Sequence, residues 1–515
     1  MTSARKLSRP GKTALIATLL LWSGFTFLVV FLESRPAGSD VFLFKEAGSN
    51  LASKGKFVAA NLIHMPPDTE FPFAFYPPLF PLFFGFWSSV FGIGIKQSLL
   101  FENLLRLFRT IALGMLIWPS LRSSLADKTK WKRGAGALGV LLLLSLVSTD
   151  SDRADELAIC FGLLSWFVLR KEKSWKTNLM GGLLLGLTAS TSPAAGAFFG
   201  MGTLLILFLK KDFKGLVTCE ILAVLTFICA VLPPRLQDPE AHARFMKQAS
   251  VSTFPYRIPF VNGTSLQSFW ESLQFPIRHW IGVPGLPYFL CFLALFGLSV
   301  YGRRTLPRRV SDLERLLLLF PLAFAPLSFV IWSLQPYYLW FGEVCLVAGL
   351  LAAGLALPKK AGQYLFIGVV LSLLPILKLE IQSICNAWER PATESSAAIQ
   401  REVLSSIPES ARLAVTADQY FTFRKKREIS NVAFVCNWLD RYDYVYVTPA
   451  GTSRISRENP LPIPCEPKRH CFHAVKDTTS KKELTLFGHR TGYYVRGNGG
   501  TLYQNTECRS KIGMN

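Results

Sequence analysis

The chain is short of charge for its length, and it has no P-loop and no dinucleotide fingerprint set between a strand and a helix. Only 17% of the 515 residues are Asp, Glu, Lys or Arg, while 50% are hydrophobic. That balance excludes an ordinary soluble enzyme, because the apolar residues gather in runs near 20 long, the length needed to cross ~30 Å of hydrocarbon. Without a nucleotide-binding signature, coupling to nucleotide hydrolysis has no support in the sequence. No small-residue cleavage site follows the first apolar run, 13–32, which is also too long for a signal-peptide core. The run therefore reads as a retained span.

Acidic residues are scarce relative to basic ones, 34 against 56, giving a formal charge of +22. Six short loops (1–12, 121–133, 170–178, 210–214, 302–315 and 358–363) hold 23 Lys and Arg against 5 Asp and Glu, which is +18 of that +22. Basic loops alternating with apolar runs follow the positive-inside rule, and they leave little excess charge for a nucleic-acid partner. In the first of them Arg5, Lys6, Arg9 and Lys12 hold that end on the cytoplasmic side.

With those loops inside, spans fall near 13–32, 101–120, 134–149, 156–169, 179–191, 193–209, 215–233, 281–301, 314–333, 340–357 and 362–379. The expected fold is mainly α: a polytopic helical bundle of about eleven spans, residues 1–380, followed by a small exported α/β domain, 381–515. The segments 33 to about 100, 149–156, 234–280 and everything after about 380 then face outward. Parity allows only one of the apolar runs 75–94 and 101–120 to cross. The first carries Pro77, Pro78 and Pro81, so it is expected to be a juxtamembrane or re-entrant helix.

Beyond residue 381 charges of both signs mix, and the β-rich runs ARLAVTA (411–417) and YDYVYVTPA (442–450) announce strands. Cys436, Cys465, Cys471 and Cys508 suggest two disulfides in an exported domain. His470 and His473 keep a zinc site open as the alternative. Asn262-Gly263-Thr264 is a glycosylation sequon on the outer side.

A polytopic chain of this kind is a transporter, a channel or scaffold, or an enzyme acting on a lipid-borne substrate. Its spans read as clean apart from the small-residue patch TASTSPAAG (188–196), whereas transporters hide polar residues at the midplane. The outer acids concentrate in two places. Asp40 opens the segment after the first span, and Asp150, Asp152, Asp155 and Glu156 surround Arg153 in STDSDRADELA (148–158). Helix capping by Ser151 or Asp152, with Asp155 and Glu156 as an acidic first turn, is the plain explanation. It does not account for an arginine among several carboxylates beside hydrocarbon, where ionisable clusters mark function. His64 reads as an ordinary surface histidine, although a metal ligand or acceptor contact is the other reading.

The order of an apolar first span, an early Asp in the first outer loop (GSD, 38–40), the aromatic YPPLFPL (76–82), DRADELA (152–158) and an exported C-terminal domain resembles the GT-C superfamily of integral-membrane glycosyltransferases. The resemblance is particularly to the bacterial branch similar to protein mannosyltransferases and lipid A aminoarabinose transferases. The resemblance implies sugar transfer from a polyprenyl-phosphate donor to a lipid, glycan or protein acceptor at the outer face of a bacterial inner membrane. It implies Asp40 as catalytic base, with Asp155 supporting the site. Arg153 would stabilise phosphate, with Arg257 and Arg244 as further candidates, and Asp152 and Tyr76 would line the substrate groove. Asp40 is followed by Val41 rather than a second acid, so a metal is not implied by that motif. A divalent cation on Asp152 and Asp155 stays open.

Overall fold

The computed structural model describes residues 7–35, 37, 40–59, 71–73, 76–147, 152–170, 173–237, 239, 243, 313, 316–317, 319–321, 336–390, 392–424, 426, 428–432, 439, 441–448, 471–478, 483–486, 489–494 and 499–506. The run 281–301 and most of 314–333 lie outside them, as do His64, Arg244, Arg257, the sequon, Asp150, Ser151 and His470.

The apolar runs are helical. They give α1 (Arg9–Phe31), α5 (Ile95–Leu116), α7 (Trp131–Leu146), α8 (Asp155–Leu169), α9 (Trp175–Ala189), α10 (Pro193–Leu209), α11 (Phe213–Gln237), α12 (Pro336–Ala356) and α13 (Lys359–Trp388). Four short helices accompany them: α2 (Val41–Phe44), α3 (Glu46–Lys54), α4 (Leu79–Phe91) and α6 (Trp118–Ala126). Helix α1 starts under a Ser8 N-cap with Pro at its first turn and turns Leu20, Leu21, Phe27 and Phe31 outward, as a lipid-facing span does. Among the described residues α1 and α11 are long and apolar enough to cross a membrane. The joined pair α5 and α6 is a third candidate, bent by 77°. The 15 residues of α8 rise only ~22 Å, so the expected number of about eleven crossings is not established.

The run 75–94 yields the 13-residue α4, ~20 Å long and too short to cross, in line with the non-crossing helix expected there. Two sequence expectations change. The basic loop 121–133 is in part helical, because α5 ends at Leu116 and α6 turns sharply away through Ala126. The spans are not clean either: α5 carries Glu102, Arg106 and Arg109 as buried residues, and α12 carries buried Glu343. The run GAGALG (134–139), which has fingerprint glycine spacing, lies wholly inside α7 and forms no phosphate-binding turn.

Contacts between helix ends divide the bundle into two poles. At the basic pole Arg133 reaches Leu357 O at 2.8 Å, Arg170 reaches Leu116 O at 3.0 Å and Lys173 reaches Lys211 O at 3.1 Å. At the opposite pole α1, α7 and α13 end, and α5, α8 and α12 begin. Between the poles a large core joins α5 through α13, with Trp166 edge-to-face against Phe199 and Phe320 and tilted against Phe198.

Beyond α13, which runs continuously past residue 380 to Trp388, lie α14 (Ser396–Leu404) and α15 (Tyr420–Arg424). They accompany a mixed sheet of β3 (Leu413–Val415), β4 (Ile429–Asn431), β5 (Tyr444–Val447), β6 (Phe472–Asp477) and β9 (Thr501–Asn505), in the order β4-β3-β5-β9-β6. Two small pairs add β1 (Val58–Ala59) with β2 (Phe71–Pro72), and β7 (Glu483–Leu486) with β8 (His489–Tyr494). Strands β3 and β5 are parallel, Leu413 opposite Tyr444, and both are buried on both faces, which is why their sequences are continuous apolar runs. One face, with Leu413, Val415 and Tyr446, shares a core with Phe42, Phe44, Phe80 and Phe84 of the helical part. The α/β unit is thus seated on the acidic pole by apolar packing. Cys471 is in a disulfide, as the exported-domain reading expected, so its sulfur is not a zinc ligand.

Candidate active site

The acidic pole is built from two loops that follow α1 and α7. After α1 the chain turns into α2 at Asp40, whose side chain makes no cap bond to α2. After α7 it re-enters as α8 at Asp155, with Ala154 at the N-cap position. Asp152 does not cap that helix. It adopts φ 66, a left-handed conformation that costs a non-glycine residue energy and persists only where its surroundings impose it. Here they do: its backbone N–H donates to Glu102 Oε1 at 3.0 Å, and its Oδ1 accepts from the Lys45 ammonium.

Turning the backbone at Asp152 aims Arg153 at the first loop. Its Nη1 donates to Asp40 Oδ2, and its Nε donates to Asp155 Oδ2 at 2.8 Å. Asp155 Oδ1 accepts from the Ser192 hydroxyl at 3.0 Å. The guanidinium lies 5.4 Å over the ring of Phe44, and the edge of Tyr76 packs against that ring at 4.7 Å. Of this chain Asp40 reaches furthest toward solvent: its side chain is 20% exposed, against 10% for Arg153 and 7% for Asp155. The structure therefore joins Asp40, Arg153 and Asp155 directly and Tyr76 through Phe44. It places Asp152 on the other side of the backbone.

A second, wholly buried set lies beneath. Lys45 donates to Asp152, to Glu102 and, at 2.7 Å, to Ser98, with Phe84 of α4 and Phe421 of α15 within 6 Å of its ammonium. Burial alone would lower the Lys45 pKa. The carboxylates of Asp152 and Glu102 outweigh it and hold the ammonium above the usual lysine value. Arg106 lies 3.8 Å from both Glu102 and Glu380, and Glu380 accepts from Arg35. Arg109 donates to Glu156 at 2.6 Å, and Trp340 Nε1 donates to the same carboxylate at 3.1 Å. Such ions remain charged under burial only because each has an opposite partner.

Sequence reasoning missed Lys45, Glu102, Arg106, Arg109, Glu380 and Ser192. A signal for three of them was present in LLFENLLRLFRT (99–110): spacings of four and three put Glu102, Arg106 and Arg109 on one face of a helix in an apolar run. The small-residue patch 188–196 also belongs here, since Thr188, Ser190, Thr191 and Ser192 are all fully buried and Ser192 serves Asp155. The divalent-cation expectation meets a physical objection. Lys45 already neutralises Asp152, and Arg153 already neutralises Asp155, so the two carboxylates turn to side-chain cations rather than to a shared metal position.

No protein-family model and no curated protein matches the sequence. Among solved structures the chain is similar to ArnT from Cupriavidus metallidurans bound to undecaprenyl phosphate, with a TM-score of 0.55 at 11% identity over 96% of this chain and 98% of that one. The apo state of the same protein gives a TM-score of 0.51 at the same identity and coverage. At 11% identity the likeness is one of fold, and it extends over both the helical part and the α/β unit. The helical bundle with a C-terminal α/β unit expected from the motif order is the fold this chain shares with ArnT.

Proposed function

We propose that this chain, built on the GT-C fold, is a glycosyltransferase that moves a sugar from a polyprenyl-phosphate carrier to an acceptor at the outer face of a bacterial inner membrane. The observation that carries the reading is the placement of Asp40. It is the most solvent-accessible carboxylate of an otherwise buried network, held at a fixed position by Arg153. A general base needs that combination of access and orientation. The fold is shared with ArnT, whose crystal structure holds undecaprenyl phosphate.

In the reaction the acceptor oxygen attacks the anomeric carbon and its proton passes to the Asp40 carboxylate. The bond from that carbon to the phosphate oxygen breaks, and polyprenyl phosphate leaves with the electron pair. Arg153 fixes Asp40 and is the cation nearest to it in the network, placed to offset the negative charge that grows on the leaving group. Asp155 and Ser192 hold Arg153 in turn. Tyr76 and Phe44 form the aromatic wall beside it. Asp152 acts on the site through the backbone turn that it forms. The basic pole faces the cytoplasm by the positive-inside rule, which puts Asp40 and the α/β unit outside. A transporter of envelope lipids or glycans is the second reading. In the patch at 188–196 that would favour it, Ser192 is engaged with Asp155, and the hydroxyls of Thr188, Ser190 and Thr191 bond carbonyls one turn back.

The test is transfer by the detergent-purified protein from a panel of polyprenyl-phosphate sugars, wild type against Asp40→Asn. Removal of a general base lowers turnover by ~10²–10⁴-fold with donor binding kept. Equal turnover by the variant, or none by wild type with any donor, sinks the proposal.

A further inference from the structure

A cavity of about 470 Å³ opens where the last turn of α3 and the second half of α4 meet α15 and the residues after it, and it shares no residue with the Asp40 network. Lys54, Ser88, Ser89, Arg424, Lys426 and Glu428 are in its wall. The volume falls in the range of small-molecule sites.

The two helices that form one side are fixed by close backbone approach. A Cβ on Gly48 would lie 2.4 Å from Pro81 O, and one on Gly85 would lie 3.2 Å from Gly48 O. Gly92, at φ 86, turns the chain at the rim. The wall charge is positive: Lys54, Arg424 and Lys426 stand against Glu428, which pairs with Lys54, while the charge of buried Glu46 favours the Arg424 cation. Ser88 is 3% exposed, and its Oγ has no hydrogen-bond partner among the described residues. A buried polar group left so carries a desolvation cost, which a bound oxygen acceptor would recover.

The surroundings select the ligand. Helix α4 is too short to span, and beside the cavity it exposes Phe86, Val90 and Phe91, from 73% to 52%. A contiguous apolar face of this kind on a membrane protein lies in the interfacial layer, with lysines at its margin reaching toward headgroups. We propose that this cavity binds the phosphate of an anionic membrane lipid headgroup, with the acyl chains along α4. The site is separate from the Asp40 centre, and the proposal does not rest on the transferase reading.

The test uses the full-length protein in neutral detergent, with native mass spectrometry counting retained lipid. Short-chain phosphatidic acid is the probe, with phosphatidylcholine of equal chain length and inorganic phosphate alongside. Phosphatidic acid should bind about tenfold more tightly than phosphatidylcholine. Ser88→Ala should weaken it about threefold without lowering the unfolding midpoint, because the unpartnered hydroxyl contributes nothing to the fold. Exposed Lys426→Glu should weaken it about tenfold, and Asp40→Asn should leave it unchanged. Equal retention of the two lipids, or full binding by both cavity variants, overturns the proposal. Occupancy by inorganic phosphate as strong as by phosphatidic acid overturns the lipid assignment in favour of a soluble phosphate.

Discussion

The two poles of the bundle use the same residue types for different ends. At the basic pole Arg133, Arg170 and Lys173 lie exposed or half-buried and close helix ends by bonding carbonyls of neighbouring elements. At the acidic pole Arg35, Lys45, Arg106, Arg109 and Arg153 are withdrawn from water, and each lies against a carboxylate. Desolvation makes those charges interdependent: removing one strands its partner. In the proposed topology, charge at the first pole sets orientation in the membrane, a long-range property tolerant of exact position. Charge at the second sets the position of a side chain to within a bond length.

The comparison rests first on sidedness, where the outcome is all or none. In a background with Cys229 and Cys385 replaced by Ser, Ser405→Cys should react with an impermeant thiol reagent from outside and Ser123→Cys only from inside. The opposite pattern would put the acid network in the cytoplasm. Next comes stability. Lys45→Met strands Asp152 and Glu102 and should cost about 3–5 kcal/mol, whereas Lys132→Met at the exposed basic pole should stay within about 0.5 kcal/mol. Denaturant titration in micelles reads both, and a neutral Lys45→Met would show that the buried carboxylates are not held by charge. A smaller difference separates two replacements at Asp152. Asparagine accepts the left-handed backbone and alanine does not, so Asp152→Ala should be less stable than Asp152→Asn by about 1–2 kcal/mol. Equal midpoints would mean that the turn relaxes. The smallest effect belongs to Ser192→Ala, which removes one bond to Asp155. It should slow transfer a few-fold, about 1 kcal/mol of barrier, with no change in donor binding.

Much of this arrangement was readable in one dimension. The helices other than the short ones follow the apolar runs, and β3 and β5 fall inside the two predicted β-rich stretches. The early acid of GSD and the acids of DRADELA were found as candidates, and Asp40, Arg153 and Asp155 do meet. The assignments that changed concerned what each side chain faces. Asp152 looked like a cap because a Ser-Asp pair before an apolar run usually is one. It forms a strained turn instead, because Lys45 and Glu102 offer stronger partners than free N–H groups do. The 101–120 run looked like a plain span because its apolar content hid three ions on one face.

Sequence by itself therefore determined where helices form and which ends share a pole. Run length and loop charge are local quantities, and a bilayer reads them segment by segment. Only tertiary structure decided which ions pair. Lys45 and Asp152 are 107 positions apart, and Arg35 and Glu380 are 345 apart. Burial energy depends on the partner present in space, which no local stretch of chain specifies.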